Sequence, residues 1–216
     1  MEANIWRERF QSVGEEIANS VSHGVGLLCA LAGTPILIVI ASQHGGARGV
    51  VAASVFGATM ILMYLMSTLY HALPEGRAKW VFNVLDHCAI YVLIAGTYTP
   101  FALVVLGGGW GWSMFGVVWG LAILGVVFKA VGRMRHPVLS TTIYVVMGWL
   151  IVIAIKPLWT QLPLWGVFWL GAGGIAYTLG VAFFAATGVR YNHLVWHVFV
   201  LAGTTCHFVA VLKYAT

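Results

Sequence analysis

Three histidines, His71, His193 and His197, stand with Asp86 and Ser67 inside stretches so apolar that an uncompensated polar side chain is out of place there. An aspartate at the middle of a membrane helix costs about 2.5–3.5 kcal/mol on insertion scales, so such residues usually have partners and a use. His193 and His197 are four residues apart, hence one turn apart on one helical face, as two ligands of a single tetrahedral ion require. A third imidazole from His71, at the same depth on a neighbouring helix, would leave a fourth position for water, which is the pattern of a catalytic zinc ion. Ser67 precedes His71 by four residues and shares its face, so its hydroxyl could meet that water or a substrate carbonyl. Asp86 is the acid that would hold or deprotonate the water. Each residue also has a plainer reading. Membrane histidines commonly serve as hydrogen-bonded packing residues, Asp86 could cap a helix or pair with a loop arginine, and Ser67 could bond back to its own helix. Composition and spacing alone leave the two readings level.

The chain around these residues is 61% hydrophobic and only 8% charged, with a mean hydropathy of +0.92. Soluble domains carry about a quarter charged residues, so this is an integral membrane protein. Its 216 residues suffice for seven spans with short connectors, and residues 1–216 are expected to form one membrane domain. The net charge of +5 comes from Lys and Arg dispersed over short loops, which argues for membrane topology and against nucleic acid. Cys29, Cys88 and Cys206 lie within apolar stretches without CxxC spacing and read as small core residues. The N-terminal segment, with Glu2, Arg7, Glu8, Arg9, Glu15 and Glu16, has no cleavable signal pattern, so nothing is expected to be removed.

Apolar runs bounded by Gly, Pro and charge place spans near 18–41, 50–72, 82–106, 111–131, 138–157, 163–186 and 194–213. Runs of this length in lipid must be helical, which predicts an all-α bundle of seven transmembrane helices. The connectors read as turns at 43–49, 74–80, 107–109, 132–137, 157–161 and 187–192. Arg7, Arg9, Arg77, Lys79, Lys129, Arg133, Arg135 and Arg190 fall on one side and Arg48, Lys156 and Lys213 on the other. That bias predicts a cytoplasmic N-terminus and a C-terminus on the opposite side, where Trp110, Trp112, Trp159 and Trp165 would form an aromatic belt. His71 then closes span 2, Asp86 opens span 3, and His193 and His197 open span 7, all in the cytoplasmic leaflet. Glu16, Asn19, Ser20 and His23 open span 1 at the same level, and Glu16, Asn19 and His23 are candidates to support the ligands from behind. His23, His87 and His207 read as packing histidines. His207 lies 14 residues beyond His193, roughly 21 Å along a helix and too far for the same ion. His44 and His136 read as solvated loop residues.

At these positions the sequence resembles the haemolysin III family, within the progestin and adipoQ receptor superfamily, in its bacterial branch. The resemblance spans nearly the whole chain and is carried by EIANSVSH at 16–23, STLYH at 67–71, LDHCA at 85–89 continuing to GTYTP at 96–100, and HLVWH at 193–197. It implies a seven-helix fold with cytoplasmic N-terminus in a bacterial inner membrane. It also implies zinc held by His71, His193 and His197, with water positioned by Asp86 and Ser67. Members of the broader group look like alkaline ceramidases in these motifs, which implies hydrolysis of a membrane lipid amide or ester in lipid homeostasis. The competing expectations are a sensor in which zinc only ties spans together and a pore-forming cytolysin. The pore is the weaker of these, because the polar residues crowd one leaflet instead of lining a path across.

Overall fold

The computed structural model describes residues 11–132 and 137–216. The charge assignments on Arg7, Arg9, Arg133 and Arg135, the segment containing Glu2 and Glu8, and the reading of His136 fall outside them. The described residues form helices α1 (Val13–His44), α2 (Gly46–Ala72), α3 (Arg77–Pro100), α4 (Gly108–Ala130), α5 (Pro137–Trp149), α6 (Ile155–Gln161), α7 (Leu164–Ala185) and α8 (Asn192–Tyr214). Together they supply seven segments long and apolar enough to cross a membrane, with α5 and α6 sharing the fifth. Among the described residues there is no strand.

Several helices run past the apolar stretches that announce them. With 32 residues, α1 is roughly 48 Å long at 1.5 Å per residue, against a hydrocarbon core of about 30 Å. Its start is fixed by a capping box. The Glu15 amide donates to the Ser12 hydroxyl at 3.3 Å, and the Ser12 amide donates back to the Glu15 carboxylate at 2.9 Å. At the other end the expected turn over 43–49 shrinks to the single residue Gly45, whose amide still donates to Ala41 O at 2.8 Å. A Cβ on Gly45 would lie 2.7 Å from the Thr216 main chain and 2.9 Å from Gly49 Cα, so only glycine lets α1, α2 and the C-terminal residue meet here. The turn expected over 74–80 is likewise shorter, because α3 already begins at Arg77.

The third and fifth spans are irregular, and each irregularity has a local cause. Pro100 interrupts the amide ladder of α3, and the chain continues as a π-helix over Phe101–Leu106, closed by Gly107 donating to Ala102 O at 3.0 Å. Gly107 and Gly108 take φ of 54° and 47°, the left-handed region that L-residues avoid, and this reverses the chain into α4. The turn expected at 157–161 is overturned, since α6 runs through it. Leu150–Ala154 winds as a 3-10 helix and a fresh α-helix begins at Ile155, so Pro157 sits in a first turn whose amides have no intrahelical acceptor to lose. Tyr98 of α3 stabilises that transition. Its hydroxyl lies 2.9 Å and 2.8 Å from the carbonyls of Met147 and Gly148 and accepts from the Ile151 amide at 2.8 Å.

Packing uses small residues, as expected where lipid gives no hydrophobic drive between helices. Thr34 of α1 fills the space over Gly57 of α2, and Thr59 of α2 fills that over Gly96 of α3. Between α7 and α8 the exchange is reciprocal, with Tyr177 seated over Gly203 and His207 over Gly173. The outer surface carries exposed aliphatic residues such as Leu28, Leu31, Ile123 and Ile153, the face a lipid-embedded bundle presents. Cys29 is part of that surface, which corrects its reading as a core residue, whereas Cys88 is buried. Trp110, Trp112, Trp159 and Trp165 are exposed in or beside helix ends.

Replacing Tyr98 by Phe removes the acceptor of the Ile151 amide and the donor to the Met147 and Gly148 carbonyls. We expect a loss of about 1–3 kcal/mol, the range for leaving such groups unsatisfied, read as a lower thermal midpoint of the purified protein.

Candidate metal centre

His71, on the last turn of α2, and His193 and His197, on the first two turns of α8, meet at one end of the bundle. One ligand atom from each lies within 4.8 Å of the others. Their ring centroids are 4.9, 5.1 and 4.7 Å apart, close to an equilateral triangle. Tetrahedral zinc with bonds of about 2.0–2.1 Å places its donors ~3.3 Å apart, so the atoms need to close by at most about 1.5 Å.

The donor chemistry fits such an ion because a hydrogen bond fixes which nitrogen carries the proton on two of the rings. His71 Nδ1 lies 2.7 Å from Glu16 Oε2, and a carboxylate only accepts, so Nδ1–H donates and Nε2 keeps its lone pair. His197 Nδ1 lies 3.2 Å from Asn19 O, a carbonyl, which assigns its proton in the same way. Ser22 completes this support. Its hydroxyl donates to Asn19 O at 2.8 Å and is therefore free to accept from His197 Nδ1 at 3.1 Å. Holding the far nitrogen of a ligating histidine in this way orients the ring and raises its basicity.

Glu16 is itself held. Lys79 Nζ lies 2.9 Å from its other oxygen and 3.2 Å from the carbonyls of both Tyr70 and Leu73. The lysine thus neutralises the carboxylate while capping the C-terminal carbonyls of α2, the turn that carries His71. The start of α8 is tied to α1 as well, since the Tyr191 amide donates to Glu15 Oε1 at 2.8 Å. Tyr191 takes the left-handed conformation at φ 58°, and Asn192 reaches the Phe183 and Phe184 carbonyls at the end of α7.

The remaining candidates lie around this triangle. His23 stacks on His197 with centroids 3.5 Å apart and planes 7° apart, and its Nδ1 lies 2.7 Å from the Ser67 hydroxyl. The buried Nε2 of His23 has no hydrogen-bond partner among the described residues. Asn19 contributes its backbone carbonyl to His197, and its side-chain amide meets Gln11. Asp86 is buried on α3 and lines a cavity together with Ser67, His23, His193 and His197. His87 Nδ1 bonds Asn83 O at 2.7 Å, and His207 Nε2 lies 3.2 Å from Leu170 O on a different helix pair. Sequence reasoning missed Ser22, Lys79 and Glu15. Lys79 was counted only as a topogenic charge, whereas the Ser12-x-x-Glu15 capping pattern was a legible signal for Glu15.

Two spaces border one corner of the triangle, His193. A vestibule of about 300 Å³ is lined by Glu16, Glu75, Lys79, Asn83 and His87 among others, and His193 forms part of its wall. A mostly apolar chamber of about 140 Å³ has His193 and His197, Ile94, Val145 and Val181, and His207 in its wall. His87 and Phe184 also border both spaces.

Fold and centre together define a multi-pass membrane protein with a three-histidine cluster, two of its residues buried and His193 half-buried, able to hold a metal ion, at one end of a seven-helix bundle. The sequence signature described as Haemolysin-III related matches residues 11–208, and the chain belongs to that family. It is 47% identical to Hemolysin-3 of Bacillus cereus over 204 residues, covering 94% of this chain and 93% of that protein. Against the Hemolysin-3 homolog of Bacillus subtilis (strain 168) it is 43% identical over 203 residues, covering 94% and 95%. A distant relative is the human monocyte to macrophage differentiation factor, 24% identical over 206 residues, covering 93% and 84%. No solved structure matches the chain significantly. These relatives and the seven apolar helices fit a multi-pass bacterial membrane protein.

Exchanging Glu16 for Ala leaves His71 without the carboxylate at its far nitrogen. We expect metal affinity to fall about 10- to 100-fold, as on loss of such supporting groups elsewhere, measured by chelator competition on the purified protein.

Proposed function

We propose that His71, His193 and His197 hold zinc and that the protein hydrolyses an amide or ester of a membrane lipid, with the centre facing the cytoplasmic leaflet. The observation that carries this reading is that His193, one corner of the triangle, lines both a vestibule walled by Glu16, Glu75 and Lys79 and a mostly apolar chamber that His197 also borders. A lipid acyl bond can be cut by water only where the two phases meet. Zinc bound there would supply Lewis acidity, lowering the pKa of a water towards about 7 and polarising the acyl carbonyl.

The chain's own residues account for the other requirements. Three imidazoles give no negative charge, and Lys79 already balances Glu16. Asp86 is the one carboxylate among the described residues lining the chamber, which supports the reading that it partly offsets a dication, orients the attacking water and takes its proton. Ser67, bonded to His23, presents the hydroxyl that would steady the developing oxyanion from the α2 side. Ile94, Val145 and Val181 offer the acyl chain an apolar lining. The vestibule receives the polar part of the lipid and admits water. The positive-inside bias of the loops supports the cytoplasmic placement.

The deciding experiment combines metal analysis with lipid turnover on two variants. Asp86→Asn should keep its zinc content nearly intact while hydrolysis of a bacterial lipid extract falls by about 10²-fold or more, the scale of a lost general base. Unchanged turnover in that variant overturns the enzymatic assignment and favours a structural ion. His197→Ala should lose the metal and turnover together, and a full zinc complement in that variant would remove the proposed ligand set.

A further inference from the structure

The far end of the chamber holds a polar atom that the proposed hydrolysis does not use. His207 lies on α8 ten residues beyond His197, ~15 Å deeper at 1.5 Å per residue, and it lines the same chamber. Its Nε2 is 3.2 Å from Leu170 O. A carbonyl only accepts, so Nε2 carries the proton and Nδ1 is a bare acceptor. That Nδ1 is buried and has no hydrogen-bond partner among the described residues. The ring cannot simply be treated as loose packing, because it fills the space over Gly173, where a Cβ would collide with it, and it lies 5.6 Å from the Tyr177 ring. Tyr177 and Thr204 beside it are bonded to each other at 2.7 Å, which engages one of their two hydroxyl protons, and neither hydroxyl reaches His207 Nδ1 with a hydrogen bond.

A held, buried acceptor with no donor is costly in an apolar chamber, and the cost is relieved when a ligand brings the donor. We infer that the chamber takes a lipid chain bearing a hydroxyl, and that His207 Nδ1 accepts the hydrogen bond from that hydroxyl. The assignment rests on the reading of the chamber as an acyl-chain site and narrows the substrate to hydroxylated chains. An extended chain covers roughly 1.2 Å per bond, from three bonds in each 3.3–3.6 Å backbone repeat. The ~15 Å between the His197 and His207 levels therefore corresponds to roughly twelve bonds, which sets the hydroxyl well down the chain and away from the metal centre.

The test is equilibrium binding of 12-hydroxystearate, 12-methoxystearate and stearate to the purified full-length protein in nanodiscs. The wild type should bind 12-hydroxystearate about two- to tenfold more tightly than stearate, the range of one net hydrogen bond. 12-methoxystearate, which keeps the oxygen but has no donor, should show no such gain. In His207→Leu the ratio of 12-hydroxystearate to stearate affinity should fall to about one, a pattern that mere loss of packing, which weakens both ligands alike, would not produce, and His207→Asn, which restores an acceptor, should recover part of it. Equal binding of 12-hydroxystearate and stearate by the wild type overturns the inference and leaves the acyl-chain chamber standing. A preference that survives in His207→Leu, or that 12-methoxystearate shares, overturns it too. If the wild type binds none of the three, the chamber itself is misread and both proposals fall. The wild-type comparison with the methyl ether needs no variant to fold.

Discussion

The pairing of His71 with Glu16 is the contact on which the histidine end of the bundle depends. One carboxylate, bound on one oxygen by the imidazole at 2.7 Å and on the other by Lys79 at 2.9 Å, joins α1, α2 and α3 through charge-assisted bonds. Each partner alone would be expensive in a low-dielectric setting, because a buried charge without compensation is unstable by several kcal/mol. Together they are close to neutral, and Lys79 gains two further acceptors in the Tyr70 and Leu73 carbonyls. The arrangement therefore fixes the depth of α3 against the end of α2. It also commits His71 to the tautomer with the proton on Nδ1 and a lone pair on Nε2, so the geometry of the fold and the chemistry of the site have one origin.

The seventh span is brought to this point by a second, independent set of contacts. Glu15, next to Glu16, caps α1 with one oxygen and receives the Tyr191 amide with the other. Two adjacent glutamates thus serve opposite neighbours: Glu15 holds the start of α8, and Glu16 holds the end of α2. Asn19, one turn further on, presents its carbonyl to His197. The first two turns of α1 consequently act as a template against which both histidine-bearing helices are registered. This explains why α1 continues well before the apolar run that begins near residue 18.

Much of this was legible in the sequence, and the reasons for the rest are physical. Apolar runs gave the seven spans because lipid permits few alternatives to helix, and the i, i+4 spacing put His193 and His197 on one face. The coincidence of polar residues at one end followed from counting crossings. Helix ends were less accessible, since a capped polar turn such as Ser12–Glu15 is helical without being apolar. Pro157 was read as a stop because proline breaks a helix interior, but the 3-10 segment at Leu150–Ala154 converts its position into a first turn. Lys79 and Ser22 escaped notice for another reason: their roles exist only through partners on other helices, and no local pattern marks them.

The α7–α8 contact shows how the same packing rules leave room for function. Where Tyr177 sits over Gly203 and His207 over Gly173, backbones approach closely and each ring occupies the space a side chain would have filled. Toward α5 the contact is looser and one-sided: Trp149 lies over Gly174, at 3.6 Å from where a Cβ would be, and donates to Thr178 at 3.0 Å, and this face of α7 also contributes Gly174, Thr178 and Val181 to the chamber wall. Tight ring-over-glycine packing on one side of α7 and a looser contact on the other follow from which side its glycines and aromatic residues face. The chamber is thus a consequence of helix registration. It borders His193 and His197 at the end of the bundle where the glutamates of α1 hold the end of α2 and the start of α8.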